Sequence, residues 1–292
     1  MDANPVLCGM ISRGVVFMLL ATFFFALMNV FVKLLPEIPA VEIVFFRSLI
    51  SLVISAVILK SQGISVWGKR RGWLFLRGMV GAIALVLYFI TIQLIPLATA
   101  VTIQFITPIF TTIIGIFLNR ERVAPVQWLF FLIAFGGIVM IQGFDERVTA
   151  DVMVIGVVAA FFAGMAYNII RRLKTSEHPL VIIFYFPLVT MPLTGGYSAL
   201  DWVQPSGMAW VYLLAVGVLT QIAQYYMTRA YQEEELNKVA SVSYAGIFYA
   251  LIFGWVIFGE NFNVQTYLGM FVVLIGVVLN LWYKQYRMPK IN

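Results

Sequence analysis

The chain has little of what metal or redox chemistry requires. One cysteine, Cys8, cannot close an intramolecular disulfide, and one histidine, His178, leaves no thiolate and imidazole cluster for zinc, haem or iron–sulfur. No metal site and no cofactor are expected. Charge is scarce too: Asp, Glu, Lys and Arg make up 11% of 292 residues, against about 25% in an ordinary soluble domain. A water-soluble fold must cover its surface with polar groups, and this chain does not have enough of them. The net charge of +6 comes from basic residues standing between apolar runs, as topology signals do, so no nucleic-acid partner is expected. Nucleotide-binding loops, nucleophile elbows and membrane-protease signatures are absent, as is any acid, base and nucleophile set; the chain does not read as an enzyme. Nor does any span carry the ring of charge or Gly-rich filter of a channel.

What is present is hydrophobic: 62% of the residues, in runs long enough to cross lipid. A bilayer core of about 30 Å takes about 20 helical residues. Ten such runs are predicted, at 14–34, 41–59, 73–94, 97–118, 125–142, 152–170, 180–198, 208–230, 237–258 and 264–283. The first is longer than a signal-peptide core and is followed by no small-residue cleavage site, so it is expected to remain in the mature protein. With ten spans both termini share a side. All but three of the nineteen Lys and Arg residues then fall on that side: Arg13, Lys60, the cluster from Lys69 to Arg77, and the groups at 120–122, 171–174, 229–238 and 284–290. Lys33 and Arg147 lie opposite, and Arg47 lies inside the second span. The positive-inside rule therefore predicts cytoplasmic termini in an inner membrane.

Displacing the sequence on itself by 139 residues aligns Gly78 with Gly217, Gln93 with Gln232, Gly115 with Gly254, Glu121 with Glu260 and Gly137 with Gly276. Phe105 meets Tyr244 in the same register. The displacement equals five spans, an odd number, so the copies must be inverted. The expected fold is an all-α polytopic membrane protein whose ten transmembrane helices form two inverted five-helix repeats, 1–145 and 146–292. Inverted repeats are an architecture of secondary transporters, with a midplane site exposed alternately to the two sides.

The stretch 88–122, YFITIQLIPLATAVTIQFITPIFTTIIGIFLNRER, resembles the fourth-span signature of the drug/metabolite transporter superfamily in its EamA branch. Residues 228–261 repeat its form, with Gly246-Ile247 where the first copy has Thr107-Pro108. The resemblance covers essentially the whole chain. It implies a small-metabolite carrier with a central cavity made mainly by the third, fourth, eighth and ninth spans. The segment VEIVFFRSLIS (41–51) is most similar to organic-anion carriers of that superfamily. The expected substrate is thus an organic anion, with an amino acid or another zwitterionic or neutral metabolite as the alternative. Small-molecule substrate and membrane lipid are the expected partners; monomer and homodimer both stay open.

An ionisable side chain inside hydrocarbon costs about 2.5–3.5 kcal/mol on insertion scales, which makes Arg47 the foremost candidate. Its guanidinium can take a carboxylate through two parallel hydrogen bonds. The competing reading pairs it with Glu42 or a carbonyl as scaffold. Further candidate substrate contacts are Asn29 in the first span, Tyr88 and Gln104 in the third and fourth, Asn168 in the sixth, and Tyr244 in the ninth. Gln221, Gln224, Tyr225 and Thr228 share one face of the eighth span, the best polar stripe in the chain. Pro108 and Pro187 each remove an in-helix hydrogen bond and are the candidate hinges. No carboxylate lies near the middle of a span, so facilitated diffusion or exchange is expected before proton-driven pumping.

Overall fold

A computed structural model of the chain describes residues 12–119, 124–173, 175–233 and 242–286. Within them all regular structure is helical: α1 (Arg13–Lys33), α2 (Ala40–Ser61), α3 (Arg71–Leu94), α4 (Leu97–Gln104), α5 (Thr107–Asn119), α6 (Pro125–Phe144), α7 (Ala150–Leu173), α8 (Pro179–Ser198), α9 (Met208–Glu233), α10 (Ala245–Phe258) and α11 (Val264–Tyr286). Eight segments are long and apolar enough to cross a membrane, with 97–118 counted as one; 245–258 and 264–280 are shorter apolar helices. Val53, Val57, Leu132, Phe248, Val256 and Phe271 point outward, each more than half exposed, a surface suited to lipid and not to water. The chain is an integral membrane protein.

The predicted fourth span is two helices. α4 stops at Gln104, Phe105 and Ile106 form a turn, and α5 starts at Thr107. Pro108 has no N–H to offer the carbonyl of Gln104, and the Thr107 hydroxyl donates to that oxygen instead, at 2.6 Å. The interruption therefore falls three residues before the proline, where the missing bond would have closed. Most of the predicted ninth span, from 242 on, is described, while 237–241 lie outside the described residues. Tyr244 is a turn residue just before α10. The Phe105 and Tyr244 rings meet with centroids 4.9 Å apart, so the two interrupted segments touch at their breaks.

Side by side, α1 runs along α9, α3 along α7, α2 along α8 and α6 along α11. Additional contacts join α2 to α9, α3 to α8, α5 to α7, α1 to α10 and α4 to α10. Without a hydrophobic force between helices in lipid, small residues decide how close two helices come. α6 and α11 approach backbone to backbone: a Cβ on Gly137 would fall 2.7 Å from the Gly269 carbonyl, and one on Gly276 2.6 Å from Ala134 N. A buried hydrogen bond of 2.7 Å from Gln127 Nε2 to Asn280 Oδ1 fixes their register. Buried threonines give their hydroxyl protons to the preceding turn, as Thr102 does to Ala98 O and Thr190 to Phe186 O, so no hydroxyl is stranded in the bundle at those places.

Candidate functional site

Arg47 sits on a stripe of α2 with Ser51 and Ser55, one helical turn apart, facing α8 and α9. α8 contributes Ile183, Phe186 and Pro187, and α9 contributes Thr220, Gln221 and Gln224. Together they line a cavity of about 20 Å³, room for about one water. The stripe is tied across by Gln221 Nε2 to Ser55 Oγ at 3.2 Å. Arg47 Nε donates to Thr220 Oγ1 at 3.1 Å, and that hydroxyl donates to Val216 O at 2.7 Å. Arg47 Nη1 and Ser51 Oγ are buried without a protein partner. Among the described residues no carboxylate pairs with Arg47; Glu42 instead accepts from Val203 N–H at 3.1 Å. Pro187 adds an acceptor, because the carbonyl of Ile183 lacks its in-helix donor.

A second, half-buried arginine stands next to this cavity. Arg77, which sequence counting assigns to a cytoplasmic loop cluster, is the seventh residue of α3, and its Nε and Nη1 are buried without a protein partner. Its Cζ lies 4.4 Å from the Phe186 ring centroid, and Arg47 Cζ lies 5.5 Å from the same centroid.

The other sequence candidates are distributed over four places. Asn29 Nδ2 donates to Tyr88 Oη at 2.9 Å between α1 and α3, leaving Asn29 Oδ1 buried without a protein partner. Gln104 Nε2 reaches Thr107 Oγ1 at 3.3 Å beside the helix break, and Tyr244 packs on Phe105. Asn168 spends its amide on Thr111 O and Gly164 O, where α7 meets α5, away from the cavity lining. Tyr225 is 58% exposed against Tyr226 and does not line the cavity, although Gln221 and Gln224 of the same stripe do. The Thr228 side chain lies outside the described residues. Sequence reading misses Ser51, Ser55, Phe186 and Thr220 because hydroxyl and aromatic side chains are common in such spans; only their spacing from Arg47 and Pro187 singles them out.

At one end of the bundle the chain is closed by ionic contacts. Lys33 Nζ at the end of α1 is 3.1 Å from Glu260 Oε1 and donates to Ile95 O at 2.6 Å. Glu260 receives the Leu97 N–H at the start of α4, at 2.8 and 2.9 Å from its two oxygens. A carboxylate there also complements the positive end of the helix dipole. Gln93 Nε2 bridges Leu35 O and Ile38 O at 2.7 and 2.9 Å. Next to this cluster, Arg147 and Asp145 form a two-bond pair at 2.8 and 2.9 Å, and the hydrogen-bonded Asp145 carboxylate raises the Arg147 pKa further. An open depression of about 310 Å³ around this pair is lined mainly by connecting segments, with Arg147 and Asp145 already paired to each other.

A model described as the EamA-like transporter family matches residues 12–143 and again 151–282. The chain belongs to that family. The chain is similar to the pseudopaline exporter CntI of Pseudomonas aeruginosa, 32% identical over 276 residues that span 92% of this chain and 96% of the exporter. A riboflavin transporter of Vibrio cholerae is 25% identical over 91% of each chain, and human solute carrier family 35 member G1 is 27% identical over 93% of this chain and 80% of its own. A crystal structure with 19% identity superposes with a TM-score of 0.64 over 95% of this chain and 100% of that one, a likeness of fold. The EamA-like chain described here is thus a membrane transporter of the drug/metabolite transporter superfamily.

Proposed function

We propose that the chain is an inner-membrane secondary transporter that moves a small organic anion, a carboxylate foremost, by facilitated diffusion or exchange, with both termini cytoplasmic. The observation that carries this is Arg47: a buried guanidinium with an unpartnered Nη1, no paired carboxylate, and a cavity lined by hydroxyls and amides in front of it. A cation kept in that state at the middle of a membrane bundle has its natural counterion in the solute. The relatives named for pseudopaline and riboflavin support a metabolite-sized substrate.

Alternating access between two inverted repeats, 1–145 and 146–292, is the mechanism we favour. Helix packing supports it, with α4 and α5 counted as one span. Exchanging the repeats turns the α1–α9 contact into α7–α3, α2–α9 into α8–α3, and α5–α7 into α10–α1, while α2–α8, α6–α11 and α4–α10 map onto themselves. Glycine contacts follow the same 139-residue relation: a Cβ on Gly78 would fall 2.5 Å from Val189, and one on Gly217 2.5 Å from Ile50. The ion pair of Lys33 with Glu260 joins the two copies at one end, which fits a closed gate there.

Counterflow in proteoliposomes tests the reading. Preloaded vesicles are offered a radiolabelled carboxylate panel and an amino-acid panel, with wild type and Arg47→Gln. Carboxylate exchange that falls at least about tenfold in Arg47→Gln, in a variant that still elutes as a single species, supports an anion carrier. Amino-acid exchange that survives the substitution overturns it and returns Arg47 to the scaffold.

A further inference from the structure

Arg77 is unaccounted for by an anion site built on Arg47 alone. It enters the bundle from the other end: six residues into α3, about 9 Å along the axis, whereas Arg47 is seven residues into the antiparallel α2, about 10 Å along. Both guanidiniums rest on one ring, Phe186, so their central carbons lie within about 10 Å of each other. Among the described residues neither has a carboxylate partner, and each keeps a buried, unpartnered Nη1. An aromatic face offsets part of one positive charge; it cannot neutralise two.

The room for this arrangement is specific. A Cβ on Gly81 would fall 2.5 Å from Arg77 Nη1 and 2.9 Å from Phe186 Cε2. The 139-residue relation places Phe186 opposite Arg47 and Gly81 opposite Thr220. Where one copy sets a hydroxyl on its arginine, the other sets a ring over a glycine, and Arg77 fills the space left. Phe186 lines the cavity with Arg47, while Arg77 is absent from that lining.

Resting on the anion-carrier reading, we propose that Arg77 is a second substrate-binding residue and that the solute is an organic dianion with two carboxylates on one small molecule, Phe186 shielding Arg77 until the cavity expands. A neutral or zwitterionic solute leaves the net charge of the buried Arg47 and the half-buried Arg77 in place, and a monoanion leaves one of them. A dianion cancels both, and two arginines reached from opposite ends of the bundle suit carboxylates separated along the membrane normal.

Succinate and succinamate separate the possibilities, since they share a size and differ in one carboxylate. The full chain in proteoliposomes, preloaded with the matching solute, is expected to take up succinate at least about tenfold faster than succinamate. Arg77→Gln is expected to bring that ratio close to one, Arg77→Lys to recover most of it, and Arg47→Gln to lose uptake of both. A wild-type ratio near one overturns the dianion, and it does so even if Arg77→Gln fails to fold. An Arg77→Gln ratio that stays tenfold overturns the role of Arg77 while the anion-carrier reading stands. Wild type that carries amino acids and neither carboxylate overturns both.

Discussion

Single buried charges bear most directly on stability. Lys33 and Glu260 are 15% and 6% exposed, and removing one member of such a pair leaves the other uncompensated at a cost of about 3–5 kcal/mol. Lys33→Ala should therefore lower unfolding stability in detergent by about 3 kcal/mol, and adding Glu260→Gln should recover more than half of the loss. Strictly additive losses in that double-mutant cycle would show that the two side chains do not interact. Arg47 is legible in the sequence because it stands alone in an apolar run. Arg77 is not, because Lys69, Arg70 and Arg71 precede it and a count of basic residues absorbs it into their loop. Its one local signal is Gly81, four residues on, which clears the helix face that the guanidinium occupies. Tyr225 misleads in the opposite way: it shares a helical face with Gln221 and Gln224 on a wheel, yet the bundle covers only part of that face.

At the scale of helices, the apolar runs locate the segments well, since length against bilayer thickness is a strong constraint. The break in the fourth run is harder to place, because the proline is visible while the carbonyl it strands lies one turn earlier. Pro108→Ala restores a donor for Gln104 O and should raise the melting temperature while slowing exchange, since α4 and α5 would join. Faster exchange with unchanged melting would rule out a hinge at this break. Adjacent glycines in α6 give a sharper contrast. Gly137→Val drives a branched side chain into the Gly269 carbonyl and should prevent assembly of a monodisperse protein. Gly136 has no heavy atom within 4 Å of its would-be Cβ, so Gly136→Ala should stabilise the helix by up to about 1 kcal/mol. The expected readout is size-exclusion profile for the first and thermal unfolding for the second.

For the molecule as a whole, charge asymmetry predicts which ends face the cytoplasm. In a Cys8→Ser background, Gln62→Cys should react with a membrane-impermeant maleimide only after the cells are opened, and Glu146→Cys should react in intact cells. The reverse pattern would invert the topology. Family and all-helical membrane character are the most legible level, because the resemblance and the apolar runs depend on patterns over many residues; the cavity is the least legible, because α2 of one half and α8 and α9 of the other build it. Its size has a thermodynamic corollary. About 20 Å³ admits about one water, so a metabolite can associate only with molecules that have already expanded. The measured dissociation constant then exceeds the intrinsic one by the inverse of the expanded fraction, about a hundredfold if one molecule in a hundred is open. Any change that favours the open population, such as Lys33→Ala at the ionic closure, should tighten equilibrium binding in isothermal titration even as it slows completed transport cycles.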